Sequence, residues 1–161
     1  MSRTKATERI ENYFDQNLFF TDLHRRVSIR TESQVPEQRS ELYRYLENEI
    51  GEELRKIGFT FVIEENPITG GGPILLAQRH EDSALHTVLT YGHGDVVCGY
   101  DNEWRQGLSP WQLTREGDRW FGRGAADNKG QHTINLAALK CVLEERGRLG
   151  FNIKILIETG E

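Results

Sequence analysis

The sequence is short of the features that would send the chain elsewhere. It has no run approaching the ~18 apolar residues needed to cross a bilayer, which excludes a membrane-spanning helix. Its opening, Met1-Ser2-Arg3-Thr4-Lys5, is polar and lacks the apolar stretch of a secretory leader, so the cytoplasm is the expected compartment. Cysteine is scarce: Cys98 and Cys141 are the only two, and they lie too far apart for a C-x-x-C metal or redox pair. They are expected to be ordinary reduced thiols. There is no Lys/Arg run to neutralise successive phosphates, and 20 basic against 25 acidic side chains leave a net charge of −5, which argues against nucleic acid as a partner. Internal repeats and low-complexity tracts are also missing. What remains is 161 residues, 37% hydrophobic and 28% charged, enough for one globular domain with its own core.

Apolar periodicity divides that domain into elements. From Thr4 to about Arg26, Ile10, Tyr13, Phe14, Leu18 and Leu23 recur at helical spacing and predict one amphipathic helix. A second helix is expected from Pro36, whose fixed φ suits a first turn, with Leu42, Leu46, Ile50, Leu54 and Ile57 on one face and Gly58 as its stop. Phe59 to Ile63 and Ile74 to Ala77 read as two strands joined through Asn66-Pro67 and Gly70-Gly71-Gly72. His86 to Tyr91, β-branched and aromatic, reads as a central strand. Gly117-Asp118 marks a peripheral two-residue hairpin. A helix follows from Asn128 to about Arg146, then a strand from Phe151 to Ile157. The fold class is therefore α/β, a central mixed, largely parallel sheet with flanking helices.

A strand, a crossover helix and a parallel strand bring two strand ends to one edge, where open α/β sheets bind ligands. That edge receives Gly92-His93-Gly94-Asp95, the approach to the helix at Asp127, and Glu158-Thr159-Gly160-Glu161. His93 and Asp95 are two apart, so on extended backbone they point the same way, and a carboxylate beside a metal-bound imidazole fixes its tautomer. Alone, His-x-Asp is a weak signal that fits a half-buried, hydrogen-bonded structural histidine better. Asp127 alone fits a helix-dipole charge. With Asn128 as N-cap and Gln131 three residues on, a capping box would release the Asp127 carboxylate, which could then bridge two cations ~3.5–4 Å apart. The glycines of Gly122-Arg123-Gly124 could suggest a dinucleotide loop, but an acidic residue replaces the third glycine and would repel a pyrophosphate. Trp104 and Trp111 read as packing residues rather than base-stacking platforms, since no basic groove accompanies them.

Four ordered motifs carry a family resemblance: Tyr91-Gly92-His93-Gly94-Asp95-Val96-Val97, Trp104 with Ser109-Pro110-Trp111, Gly122-Arg123-Gly124-Ala125-Ala126-Asp127-Asn128-Lys129-Gly130, and Glu158-Thr159-Gly160-Glu161. Together they resemble the aminoacylase/carboxypeptidase G family of co-catalytic zinc metallopeptidases and deacylases, which also holds desuccinylases, acetylornithine deacetylases and cytosolic dipeptidases. The resemblance implies that His93 is a zinc ligand, that Asp95 is the carboxylate orienting it, and that Asp127 bridges two zinc ions. It also implies a cis peptide between Asp127 and Asn128, and Glu161 as general base. Family members follow that base with a metal-binding glutamate, and they continue for a further two-thirds of their length with the remaining ligands and a lid that often dimerises. Residues 1–161 would then be the N-terminal portion of an incomplete zinc-exopeptidase-like catalytic domain, with too few ligands for roughly three per metal.

Three functions follow in order. The first is the N-terminal part of a dinuclear zinc hydrolase of dipeptides or N-acyl amino acids, inactive alone, for which His and Asp ligands would also accept cobalt or manganese. The second is a non-catalytic interaction module on the same scaffold, and the third a dinucleotide-binding domain. If partner strands are missing, apolar sheet faces or the edge beside Phe151 to Ile157 should be exposed.

Overall fold

The computed structural model describes residues 3–160. The first predicted helix is two, α1 (Arg3–Asp15) and α2 (Leu18–Val27). The break is at Asn17, which adopts a left-handed φ of 58°. Asparagine enters that region more readily than other side-bearing residues, so the chain can turn there without glycine. Both helices pack on α5 (Lys129–Arg146), and Phe14, Phe19 and Phe20 gather around Trp120.

The second predicted helix begins with a 3₁₀ turn at Pro36–Gln38 and continues as α3 (Arg39–Arg44), a π-helical stretch (Tyr45–Gly51) and α4 (Glu52–Lys56). Its apolar repeat explains the π turn. Leu42, Leu46, Ile50 and Leu54 are spaced by four, and at 3.6 residues per turn each step would drift about 40° around the axis. The wider i→i+5 turn absorbs that drift, and all four side chains are buried. Gly58 closes the run with φ 84°.

Six strands follow: β1 (Thr60–Glu64), β2 (Ile74–Arg79), β3 (Thr87–His93), β4 (Thr114–Glu116), β5 (Arg119–Phe121) and β6 (Asn152–Glu158). The main sheet has the order β1-β2-β6-β3, and β4-β5 form the expected separate hairpin. The sheet is mixed, as expected, but its parallel part among the described residues is the single pair β3/β6; β1/β2 and β2/β6 are antiparallel. The central strand is β6, and β3 lies at the edge. Strand β6 has the unbroken alternation of a strand flanked on both sides, with Ile153, Ile155 and Ile157 buried.

One sheet face carries Leu75, Ala77, Ile153, Ile155 and Ile157 into a core with Tyr45, Leu46, Ile50, Leu54, Leu136 and Leu143. On the other face Val62, Leu76, Leu156 and Tyr91 stand in register across all four strands. Val62, Leu76 and Tyr91 are exposed, as is Leu89. The expected bare apolar face is thus present, and among the described residues the edge strands of the sheet are β1 and β3 rather than β6. No helix among the described residues is long and apolar enough to cross a membrane.

Inside the core, the Tyr45 hydroxyl is hydrogen-bonded to His132 Nε2. Burial, aided by Arg26, Lys129 and His93, pushes the His132 pKa well below the ordinary histidine range. The unfolded chain takes up that proton near pH 6.5. Stability from this group is therefore complete above about pH 6.5 and is lost as pH falls below it. The His132→Val chain should lose less urea stability than the unaltered chain between pH 7.5 and pH 5.5. Ile155→Ala should cost about 2–5 kcal/mol in the same unfolding measurement, whereas Leu89→Ser, at a 70% exposed position, should stay within about 0.5 kcal/mol.

Candidate functional site

The parallel pairing of β3 with β6 sets His93 opposite Glu158. Beyond His93 the chain is held on three sides: Gly94 N–H donates to Glu158 O at 2.8 Å, Thr31 Oγ1 donates to Gly94 O at 2.8 Å, and Val96 N–H donates to Thr31 O at 2.8 Å. Glycine is required at 94, because a Cβ there would come 2.9 Å from Cδ1 of Tyr45. The turn is therefore rigid before any ligand arrives.

His93 and Asp95 are both buried, Asp95 completely. His93 Nδ1 faces Asp95 twice, at 3.2 Å from the main-chain oxygen and 3.4 Å from the carboxylate Oδ1. With the proton on Nδ1, which either acceptor can receive, the Nε2 lone pair points toward Asp127. Nε2 lies 3.0 Å from Asp127 Oδ1. Two electron-pair donors that close together require a shared cation, a proton or a metal ion, and this is the donor chemistry a divalent metal takes. The Asp127 side chain is 73% exposed and so has room for further coordination. The Asp127–Asn128 peptide is cis.

Asp127 immediately precedes α5. Asn128 occupies the N-cap position but makes no side-chain cap hydrogen bond, so the expected capping box does not form. Its Oδ1 instead lies where a Cβ on Gly92 would come within 3.0 Å. What anchors this end of α5 is Lys129. It is fully buried, and its Nζ donates to Arg26 O at 3.0 Å and Ile29 O at 2.7 Å, at the C-terminal end of α2. A cation suits a helix C-terminus. Burial nonetheless pushes its pKa down to about 7, against the opposing charges of Asp95, Glu49 and Glu32.

The structure thus brings together His93, Asp95 and Asp127. Glu158 reaches the same edge, but its carboxylate accepts from Tyr91 Oη at 2.9 Å and from Gly160 N–H at 2.7 Å. Glu161, the expected general base, lies outside the described residues. No group of three or more metal-binding side chains occurs among the described residues. Trp104 and Trp111 serve packing as expected: Trp104 Nε1 donates to Gly99 O at 2.8 Å, and the Arg30 guanidinium lies 4.6 Å from the Trp111 ring centre. The sequence reading did not single out Tyr45, Lys129 or His132. Tyr45 was detectable, since it falls three residues after Leu42 on the buried stripe.

Residues 89–161 match the family model "Peptidase family M20/M25/M40". The Beta-Ala-His dipeptidase of Mus musculus is 30% identical over 167 aligned residues, covering 96% of this chain and 33% of that protein. The Cysteinylglycine-S-conjugate dipeptidase of Corynebacterium striatum is 30% identical over 100 residues, covering 62% of this chain and 21% of that protein. Among solved structures, human carnosine dipeptidase 1 superposes with a TM-score of 0.85 at 28% identity, over 97% of this chain and 34% of that one. The metallo-carboxypeptidase Sso-CP2 of Sulfolobus solfataricus gives 0.69 at 26% identity, over 88% and 30%. The chain spans about a third of the length of the Beta-Ala-His dipeptidases it matches. The fold agrees with these matches, and residues 89–161 carry the domain of the peptidase family M20/M25/M40.

Proposed function

We propose that this chain is the N-terminal portion of the catalytic domain of a hydrolase acting on dipeptides or N-acyl amino acids. Its site would hold two divalent metal ions, zinc foremost, with cobalt or manganese as alternatives. The observation that carries the reading is the 3.0 Å approach of His93 Nε2 to Asp127 Oδ1, with Asp95 behind the imidazole. The dipeptidase names of the relatives support the substrate class.

In this reading His93 and Asp127 would hold the metal ions, and Asp95 would hold the Nδ1 proton of His93 and so its orientation. Bound metal would supply a water of lowered pKa and stabilise the negative charge that develops on the amide oxygen. Glu161 would accept the water's proton and return it to the leaving amine. His93 and Asp127 fall short of roughly three protein ligands per metal. The other donors must come from further polypeptide or a second copy, and the 161 residues by themselves would be inactive.

Zinc titrated calorimetrically into the chain should bind weakly and to at most one ion, without dipeptide hydrolysis. His93→Ala should weaken binding more than about tenfold, the least that loss of even an outer hydrogen-bond partner costs a metal site. Tight binding of two ions with turnover would overturn the incomplete-site reading. Binding indifferent to His93→Ala would favour an interaction module, the reading to which the open edge of β3 lends itself.

A further inference from the structure

The metal-binding pair is assembled from two separate pieces of chain, the turn after β3 and the start of α5, and one buried side chain touches both. Tyr45, fully buried in the π-helical stretch, lays its ring against Gly94, between His93 and Asp95. Lys129 Nζ lies 4.9 Å from the centre of the same ring, two residues after Asp127. The Tyr45 hydroxyl is hydrogen-bonded to His132 Nε2, one turn further along α5, with the two rings 5.8 Å apart at 62°. The far side of the imidazole faces β3, since a Cβ on Gly92 would come 3.9 Å from His132 Nδ1. His132 is therefore wedged between Tyr45 and the strand that ends in His93.

This contact is a poor choice if packing alone were its purpose. Two polar side chains are desolvated, and His132 Nδ1 is buried without a hydrogen-bond partner among the described residues. An unmet buried polar group is destabilising, and an apolar pair of similar shape would avoid that cost. A directional bond does give what apolar packing does not: it fixes the rotation and axial position of α5 against the His-Gly-Asp turn. Asp127, one residue ahead of the N-cap of α5, is placed by the start of that helix.

We infer that Tyr45 and His132 form a positioning pair that sets the separation of His93 and Asp127, and so the affinity of the site for a divalent ion. The inference rests on the metal-binding reading above. Neither residue touches the metal; both act through the elements that carry its ligands.

The test uses cobalt(II) binding to the whole chain, measured by calorimetry, and NMR of the metal-free chain. Tyr45→Phe and His132→Leu should each weaken cobalt binding by about 10- to 100-fold, and the double substitution should be no worse than either alone, because both remove one bond. His132→Gln, whose amide reaches the position of Nε2, should restore affinity to within about threefold. Leu143→Ala, which destabilises the core far from the turn, should leave affinity unchanged and so separate positioning from stability. In the metal-free chain, Tyr45→Phe and His132→Leu should shift the His93 ring resonances and the Asp127 amide, while His132→Gln should leave them in place. Unaltered resonances and affinity in Tyr45→Phe, or affinity loss that tracks stability through Leu143→Ala, would overturn the inference. Failure of the unaltered chain to bind cobalt would refute the metal reading alone, and the NMR comparison would still decide the positioning role.

Discussion

Everything at the site depends on the parallel pairing of β3 with β6. Two strands running the same way cannot be joined by a tight turn, so the intervening chain must cross over and return. That return is α5. Both strand ends and the helix start therefore meet at one edge, and the Gly94 to Glu158 hydrogen bond locks the turn that carries His93 and Asp95. The two antiparallel pairings of β1, β2 and β6 complete the sheet without contributing to this convergence.

The price of the arrangement is a polar interior. Asp95, Lys129 and His132 all lie buried behind the turn, with the Tyr45 hydroxyl among them. A charged group in such surroundings is tolerated only when it is paired or well hydrogen-bonded. Lys129 meets the condition with two main-chain carbonyls of the α2 end and an aromatic face. The same contacts tie the N-terminal helices to α5, so helices remote in sequence help decide where Asp127 stands. Arg25 and Arg26 extend the network by pairing with the buried Glu49.

Much of this was legible in the sequence, and the omissions have physical causes. His93, Asp95 and Asp127 were readable because the motifs around them combine glycines, which allow close approach, with ligand-type side chains at a strand end. Element existence was readable from periodicity. The break at Asn17 was not, because apolar spacing continues across it and only a left-handed backbone separates the helices. The placement of β3 was misread because β-branched residues mark a strand without saying how many neighbours it has. Leu89 and Tyr91 look like core residues, yet they face outward on the bare side of the sheet. Asn128 and Gln131 have the spacing of a capping box, but close packing against Gly92 places the asparagine side chain elsewhere. Tyr45 and His132 escaped because their partnership joins residues far apart in sequence, and no local pattern encodes it.

The π-helical stretch has a consequence of another kind. It keeps a four-residue repeat in phase with the core by holding more residues in its turns than an α-helix would. Removal of one residue between Tyr45 and Gly51, with the wide turns kept, would rotate everything beyond it by somewhat less than the ~100° per residue of an α-helix. Leu54 would then leave the core, and Tyr45 could not keep both Gly94 and the α5 contacts. Over these seven residues the number of amino acids is itself a structural parameter, held as tightly as the identity of any one side chain.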